Sequence, residues 1–459
     1  MPFLQDKPMW HNKPIYILSY LQFTLSLPAT YKLTYLISNR NMRKTLTIIA
    51  AIVTMAMHAQ PQKNLGADLS LLPAYEAANT TYLTSAGTKI GDVLTYMRDK
   101  ASLNSVRVRL HVNPDKSNKD GVVQDLDYVT QLGKRIKDAG MAFMLDFHYS
   151  DTWADPSNQT IPAAWYKGGL SSSNPSNAEL GETLYSYTKQ CLQHLIDNGA
   201  APDYVQIGNE VSYGMLWRTD ADKCYKSSSN VPWNRFSSLL KNASKAVRET
   251  TPEAKIILHL ERSGDWTRCN FTLNKLRTLD YDIIGLSYYP FWHGDIATLD
   301  STLNKIESTY PTKEVQIVET AYYYQHFPSS DDGFSNTSTT WPATSAGQKA
   351  FIDDLTAELN KHKNVTGLYY WCAEENGSGK SSTVITHWLN RGLWNANNGR
   401  VLPALFSLKN FTNGTQTGIE STRPSECHAA ACVYDTSGIR HKDPVAHGIY
   451  IQDGKKYAR

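Results

Sequence analysis

Two carboxylates stand out by their position in the chain. Glu210 closes the run Tyr204-Val205-Gln206-Ile207-Gly208-Asn209-Glu210, and Glu319 closes the run Val315-Gln316-Ile317-Val318-Glu319. A charged side chain ending an otherwise buried apolar run is costly unless it faces a polar cavity. Two carboxyls facing one cavity can cut a glycosidic bond: one protonates the leaving oxygen, the other attacks or activates water. Either Glu alone could be a strand-end ion pair; the pair in equivalent positions points to the catalytic reading.

Other polar side chains end similar runs. Arg107 and Arg109 alternate on one face and are followed by His111. Asp146-Phe147-His148-Tyr149-Ser150-Asp151 precedes Thr152 and Trp153, and Ser287-Tyr288-Tyr289-Pro290-Phe291-Trp292-His293 and Tyr369-Tyr370-Trp371 close two further runs. Arg and Tyr can donate to a carboxylate and keep it ionised. His111, His148 and His293 sit at run ends without a close His/Asp cluster, so metal is not part of this reading.

These residues need a scaffold that gathers strand ends. Short apolar runs predict strands at Gly66–Leu72, Ser105–Leu110, Met141–Tyr149, Tyr204–Glu210, Lys255–Leu260, Asp282–Tyr289, Val315–Tyr322 and Val365–Cys372. Helical periodicity fills the gaps at Ile90–Ser102, Asp125–Ala139, Leu180–Asn198, Arg235–Glu249, Phe271–Leu279, Leu299–Thr309 and Ala346–His362, with Pro403–Asn410 last. Gly140 and Gly199 follow two of these helices where a left-handed cap is wanted. Eight strands alternating with eight helices predict an α/β fold, a (β/α)8 TIM barrel with long C-terminal-face loops. Both Glu then lie at the barrel mouth, after strands four and seven.

Composition agrees with a sugar-facing surface. The 459 residues carry 46 basic and 43 acidic side chains, which argues against a polyanion binder and so against nucleic acid. Charged residues are only 19%, whereas aromatics reach 11%, with 27 Tyr and 11 Trp. Such a chain suits flat, neutral, polar ligands.

The ends of the chain read differently. Met42-Arg43-Lys44, the apolar run Leu46–Met57 and Ala59 predict a signal peptide at 42–59, too short to span a bilayer. Residues 1–41 then read as an extension ahead of the true start. The catalytic domain is expected at 60–413, a Gly/Ser/Thr-rich linker at 414–425 and a short β-type tail at 426–459 with a hairpin. The tail resembles the C-terminal sorting tails of an outer-membrane secretion system of some Gram-negative bacteria. That resemblance implies an exported protein: secreted, periplasmic or at the cell surface. Of six Cys, 191 and 372 read as buried thiols, 224 and 269 as a pair able to bridge, and 427 and 432 as neighbours in the tail. Nothing in the sequence fixes an oligomeric state.

The motifs also carry a family resemblance. Gly66-Ala67-Asp68-Leu69-Ser70, Val106-Arg107-Val108-Arg109-Leu110, the stretch from Asp146 through Trp153-Ala154-Asp155-Pro156, Gln206-Ile207-Gly208-Asn209-Glu210, Ile284 through Gly294, and Val318-Glu319-Thr320-Ala321-Tyr322 resemble the arabinogalactan endo-β-1,4-galactanases, glycoside hydrolase family 53. The resemblance spans about residues 64–410. It implies a retaining endo-glycosidase that acts on neutral β-1,4-galactan. Glu210 would be the acid/base, Glu319 the nucleophile, and Asn209 a ligand of the sugar 2-hydroxyl. Arg107 or Arg109 and Tyr288 or Tyr289 would hold the nucleophile ionised. His148, Asp151, Trp153, Trp292 and Trp371 would line the groove. Retaining chemistry places the carboxyls about 5–5.5 Å apart. Some members bind calcium after strand seven; here Ser330-Asp331-Asp332-Gly333-Phe334-Ser335-Asn336 keeps little beyond Asp332 and Asn336, so no cofactor is required and no tight calcium site is expected. The competing readings are another β-1,4-glycanase of the same clan, a cellulase or mannanase, and a catalytically silent carbohydrate-binding barrel.

Overall fold

The computed structural model describes residues 63–117, 121–170, 174–224, 227–325, 340–376, 384–385 and 388–411, and the backbone of four short strands between 433 and 458. Eight parallel strands close into a barrel in sequence order: β1 Asn64–Asp68, β2 Ser105–Leu110, β3 Ala142–Phe147, β4 Tyr204–Ile207, β5 Lys255–Leu260, β6 Ile283–Ser287, β7 Glu314–Thr320 and β8 Val365–Tyr370. β1 pairs with β8 to complete the ring. The helices are α1 Leu72–Ala77, α2 Val93–Ala101, α3 Leu126–Asp138, α4 Ala163–Lys167, α5 Asn177–Asp197, α6 Asn230–Thr250, α7 Trp266–Lys275, α8 Pro290–His293, α9 Ile296–Thr309, α10 Ser345–Leu359 and α11 Pro403–Ser407. The expected (β/α)8 barrel is therefore the observed fold.

Local signals explain the boundaries. Asp92, Asp125, Asp265 and Asp295 cap α2, α3, α7 and α9 through their side chains, and Ser176 with Glu179 forms a complete capping box on α5. The first strand ends earlier than its apolar run suggested. Asp68 turns the chain by accepting from the Ser70 amide and hydroxyl, and Pro73 starts the short helix α1, so residues 69–72 leave the sheet.

Side chains alternate along β3, β5 and β6, and the alternation places the chemistry. Met144, Ile257, Ile283, Val318 and Tyr369 pack together as one buried apolar layer. Two residues further along β3 and β5, and four along β6, the same face presents Asp146, His259 and Ser287, all fully buried. On β7 the alternation breaks. Register shifts on both sides of this strand let Val318 join the apolar layer while the next residue, Glu319, pairs opposite Ser287 at the mouth. A bulge re-aims a side chain in this way, and here it aims the carboxylate.

Four of the six Cys are described, all buried free thiols, so the expected Cys224–Cys269 bridge is not formed. Cys269 faces the core from α7, and the Cys224 thiol lies against the Pro232 carbonyl. The calcium remnant Asp332 and Asn336, the signal segment 42–59 and Cys427 and Cys432 lie outside the described residues. No described helix is long and apolar enough to cross a membrane. Residues 414–459 form a second compact unit. It holds a four-stranded antiparallel sheet rather than a lone hairpin: β9 Val433–Asp435, β10 Arg440–His441, β11 Ile449–Gln452 and β12 Lys455–Ala458, in the order β10-β9-β11-β12. The hairpin β11–β12 is part of it.

Candidate active site

A cleft of about 230 Å³ opens at the C-terminal ends of the strands. Arg109, His148, Trp153, Ala154, Asp155, Asn209, Glu210, Tyr289, Trp292, Glu319, Trp371 and Trp388 line it. A hollow of about 300 Å³ lies outside the barrel around Trp233 and Phe271, but no carboxylate lines it.

Glu319 is only 6% exposed, and two donors favour its ionised form while burial and the acids Asp146 and Asp68 oppose it. Arg107 donates to its Oε1 at 2.8 Å and the Tyr289 hydroxyl to its Oε2 at 3.0 Å. Arg107 is itself fully buried and shared with Asp68 at 2.9 Å and Asp146 at 2.7 Å. Burial pushes the Glu319 carboxyl up, and Arg107 pulls it back, to about 7. Asp146 is likewise pushed up to about 7 by burial against the pull of Arg107.

Glu210 has a different setting. The turn after β4 takes Gly208 to φ 101° and Glu210 itself to φ 49°, a left-handed conformation that a residue with a Cβ adopts at some cost. Among the described residues no cation pairs with Glu210. Its Oε1 accepts from the Ser287 hydroxyl at 2.6 Å. Burial first, then the negative charges of Glu319 and Glu261, raise its carboxyl well above the usual range. One carboxyl is ion-paired and the other is not. The proton shared by the pair therefore belongs on Glu210.

The remaining candidates divide. Asn209 is held by Arg107, which donates to its Oδ1 at 2.9 Å, while its Nδ2 donates to the Ala154 carbonyl at 2.8 Å. His148 lines the cleft, and burial and the two Arg hold it well below the usual imidazole range, so it is neutral. Arg109 does not reach Glu319. It pairs with Asp68 at 2.8 Å and lies over the rings of Trp153 and Trp371. Trp371, Trp153 and Trp388 form a contiguous aromatic wall, with Trp371 5.9 Å from Trp153 and 4.4 Å from Trp388. Trp292 continues it and stays 50% exposed.

Tyr288, the alternative to Tyr289 beside the nucleophile, and Asp151, expected to line the groove, both lie elsewhere. Tyr288 points outward because its neighbour Tyr289 points inward; its hydroxyl donates to the Gly294 carbonyl at 3.1 Å and its ring stacks on Phe351 of α10. Asp151 is a brace for the loop after β3, accepting from the amides of Asn113 and Ala163 at 3.0 and 2.7 Å. The structure also adds residues with no named role in the sequence reading: Asp68, Asp146, Gln206, His259, Ser287 and Trp388. His259 carries a legible signal, a single imidazole at an inward position of Lys255–Leu260. Trp388 carries none, because it lies in an irregular segment. Among the described residues, the side chains that come together with metal-ligand spacing are Asp300, Glu358 and His362, just ahead of β8 rather than at the cleft.

The chain is similar to known proteins. The sequence profile of glycosyl hydrolase family 53 matches residues 64–408. The endo-beta-1,4-galactanase of Bacillus subtilis (strain 168) is 35% identical over 319 residues, covering 67% of this chain and 68% of the relative. A probable arabinogalactan endo-beta-1,4-galactanase A of Neosartorya fischeri is 32% identical over 338 residues, covering 71% and 88%. Among solved structures, the GH53 catalytic domain of Ignisphaera aggregans superposes with a TM-score of 0.66 at 29% identity, covering 78% of this chain and 98% of that one. A structure from work on two fungal beta-1,4-galactanases gives 0.61 at 28% identity, covering 76% and 99%.

Proposed function

The chain belongs to glycosyl hydrolase family 53 and is a glycoside hydrolase, and on that footing we propose that it cuts internal β-1,4-galactosidic bonds of galactan and arabinogalactan with retention. The observation that carries the mechanism is the unequal treatment of two neighbouring carboxyls: among the described residues, Glu319 holds Arg107 and Tyr289, while Glu210 holds a neutral hydroxyl and no cation. In the first step a Glu319 oxygen attacks the anomeric carbon. The bond to the leaving oxygen breaks, and that oxygen takes the proton of Glu210. In the second step Glu210, now ionised, takes a proton from water, the hydroxide oxygen bonds to the anomeric carbon, and Glu319 leaves. Asn209 would receive the 2-hydroxyl of the reacting sugar, and the Trp153, Trp371, Trp388 and Trp292 rings would offer flat faces to the galactosyl units.

Export fits this substrate, which is a polymer too large to enter a cell. The predicted signal segment 42–59 and the sorting-like tail support it. The reaction needs no metal, and Asp332 with Asn336 offers too few oxygens for tight calcium binding.

The test compares galactan, carboxymethyl-cellulose and mannan. Release of galacto-oligosaccharides alone supports the reading; turnover of cellulose or mannan in preference to galactan overturns the substrate assignment. Glu319→Gln should abolish turnover while galactan still binds. Full activity in that variant would falsify the nucleophile assignment.

A further inference from the structure

The hydrogen bonds behind Glu210 run in a circle. Its own amide N–H donates to Nδ1 of His259 at 3.2 Å. The other ring nitrogen, Nε2, is 2.9 Å from the Ser287 hydroxyl, and that hydroxyl donates to Oε1 of Glu210 at 2.6 Å. The chain thus leaves the backbone of Glu210 and returns to its carboxyl.

The partners fix the direction of this loop. His259 is fully buried, and burial with the nearby Arg107 holds it well below the usual imidazole range, so it carries one N–H. Two donors converge on Nδ1, the Glu210 amide and Nε2 of Gln206 at 3.0 Å. Asn209 Oδ1 also lies 3.0 Å from Nδ1, but it already accepts from Arg107 at 2.9 Å and Gln206 at 3.2 Å. A proton on Nδ1 would leave the Glu210 amide without a partner, so the proton is on Nε2. Nε2–H then donates to Ser287, and the Ser287 hydroxyl has its hydrogen free for Glu210.

We propose that His259 and Ser287 are positioning residues that keep Oε1 of Glu210 an acceptor and so assign the catalytic proton to Oε2. This rests on the acid/base reading of Glu210 and specifies how that acid is aimed. An acid free to hold its proton on either oxygen would spend part of its time facing the wrong way. The same hydroxyl also stabilises the ionised form needed in the second step, against the opposing charges of Glu319 on β7, Glu261 after β5 and Asp155 after β3.

The experiment is Ser287→Ala, with His259→Gln as a partner that keeps a donor near the Nε2 position. kcat/KM is measured against pH on galactan and on a dinitrophenyl β-galactobioside, whose leaving group needs no proton. Ser287→Ala should lose roughly tenfold on galactan and much less on the dinitrophenyl substrate. Removing a donor from a carboxylate raises its pKa, so the alkaline limb on galactan should move to higher pH. His259→Gln should recover part of the Ser287-dependent behaviour that His259→Leu loses. Equal losses on both substrates, no loss on either, or an unmoved alkaline limb would each overturn the proposal. Glu210→Gln separates it from the underlying reading. If that variant also hurts both substrates equally, Glu210 is not the acid; if it spares only the dinitrophenyl substrate while Ser287→Ala does not, the aiming role alone fails.

Discussion

Arg107 distributes its N–H donors over Asp68, Asp146, Asn209, Gln206 and Glu319. A buried guanidinium so surrounded does not deprotonate, and its charge is fixed within contact of the proposed nucleophile. The pH dependence of kcat/KM follows from this arrangement. The acidic limb belongs to protonation of Glu319, pushed up to about 7, and the alkaline limb to deprotonation of Glu210, which burial and the neighbouring carboxylates also raise. Tyr289→Phe removes a donor from the Glu319 carboxylate and so raises its pKa. The acidic limb should therefore move to higher pH, with kcat/KM at neutral pH falling about tenfold. A limb that stays in place would show that Tyr289 does not tune Glu319. Removing an aromatic face is a binding change: Trp371→Ala should raise KM on galactan more than it lowers kcat, read from steady-state kinetics.

At the scale of elements, the period-two alternation of the strands made most of the fold legible. Ser105–Leu110 and Lys255–Leu260 are strands over the residues expected, and each remaining expected barrel strand overlaps the one observed. The same alternation explains why the choice between Tyr288 and Tyr289 falls to Tyr289, whose side chain shares the inward face with Ser287. The β7 bulge was not legible, because it depends on how two neighbouring strands register rather than on the residues of β7. Trp388 and the bracing role of Asp151 were hidden for a related reason: irregular loops have no period to read. The Ser176–Glu179 capping box closes the start of α5 and contributes no residue to the cleft. Ser176→Ala should lower unfolding stability by about 1 kcal/mol, measured by denaturant titration, with kcat on galactan unchanged.

For the molecule as a whole, the chain divides between Asn413 and Gly414 into two compact units, and every residue lining the cleft belongs to the first. A chain ending at Asn413 should therefore keep the kcat/KM of the longer protein; a large loss would give the tail a part in catalysis. The substrate is neutral, so kcat/KM should change little between low and high salt. Attack of Glu319 on a galactosyl carbon is the step on which the chemistry of this barrel turns. It is tested most directly with a dinitrophenyl 2-deoxy-2-fluoro-β-galactobioside, whose fluorine slows the second step and lets the glycosyl-enzyme accumulate. A mass increase of one fluorinated galactobiosyl unit per chain is expected, carried after proteolysis on the peptide containing Glu319. A label on any other residue, or inactivation by the corresponding glucosyl reagent in preference to the galactosyl one, would contradict it.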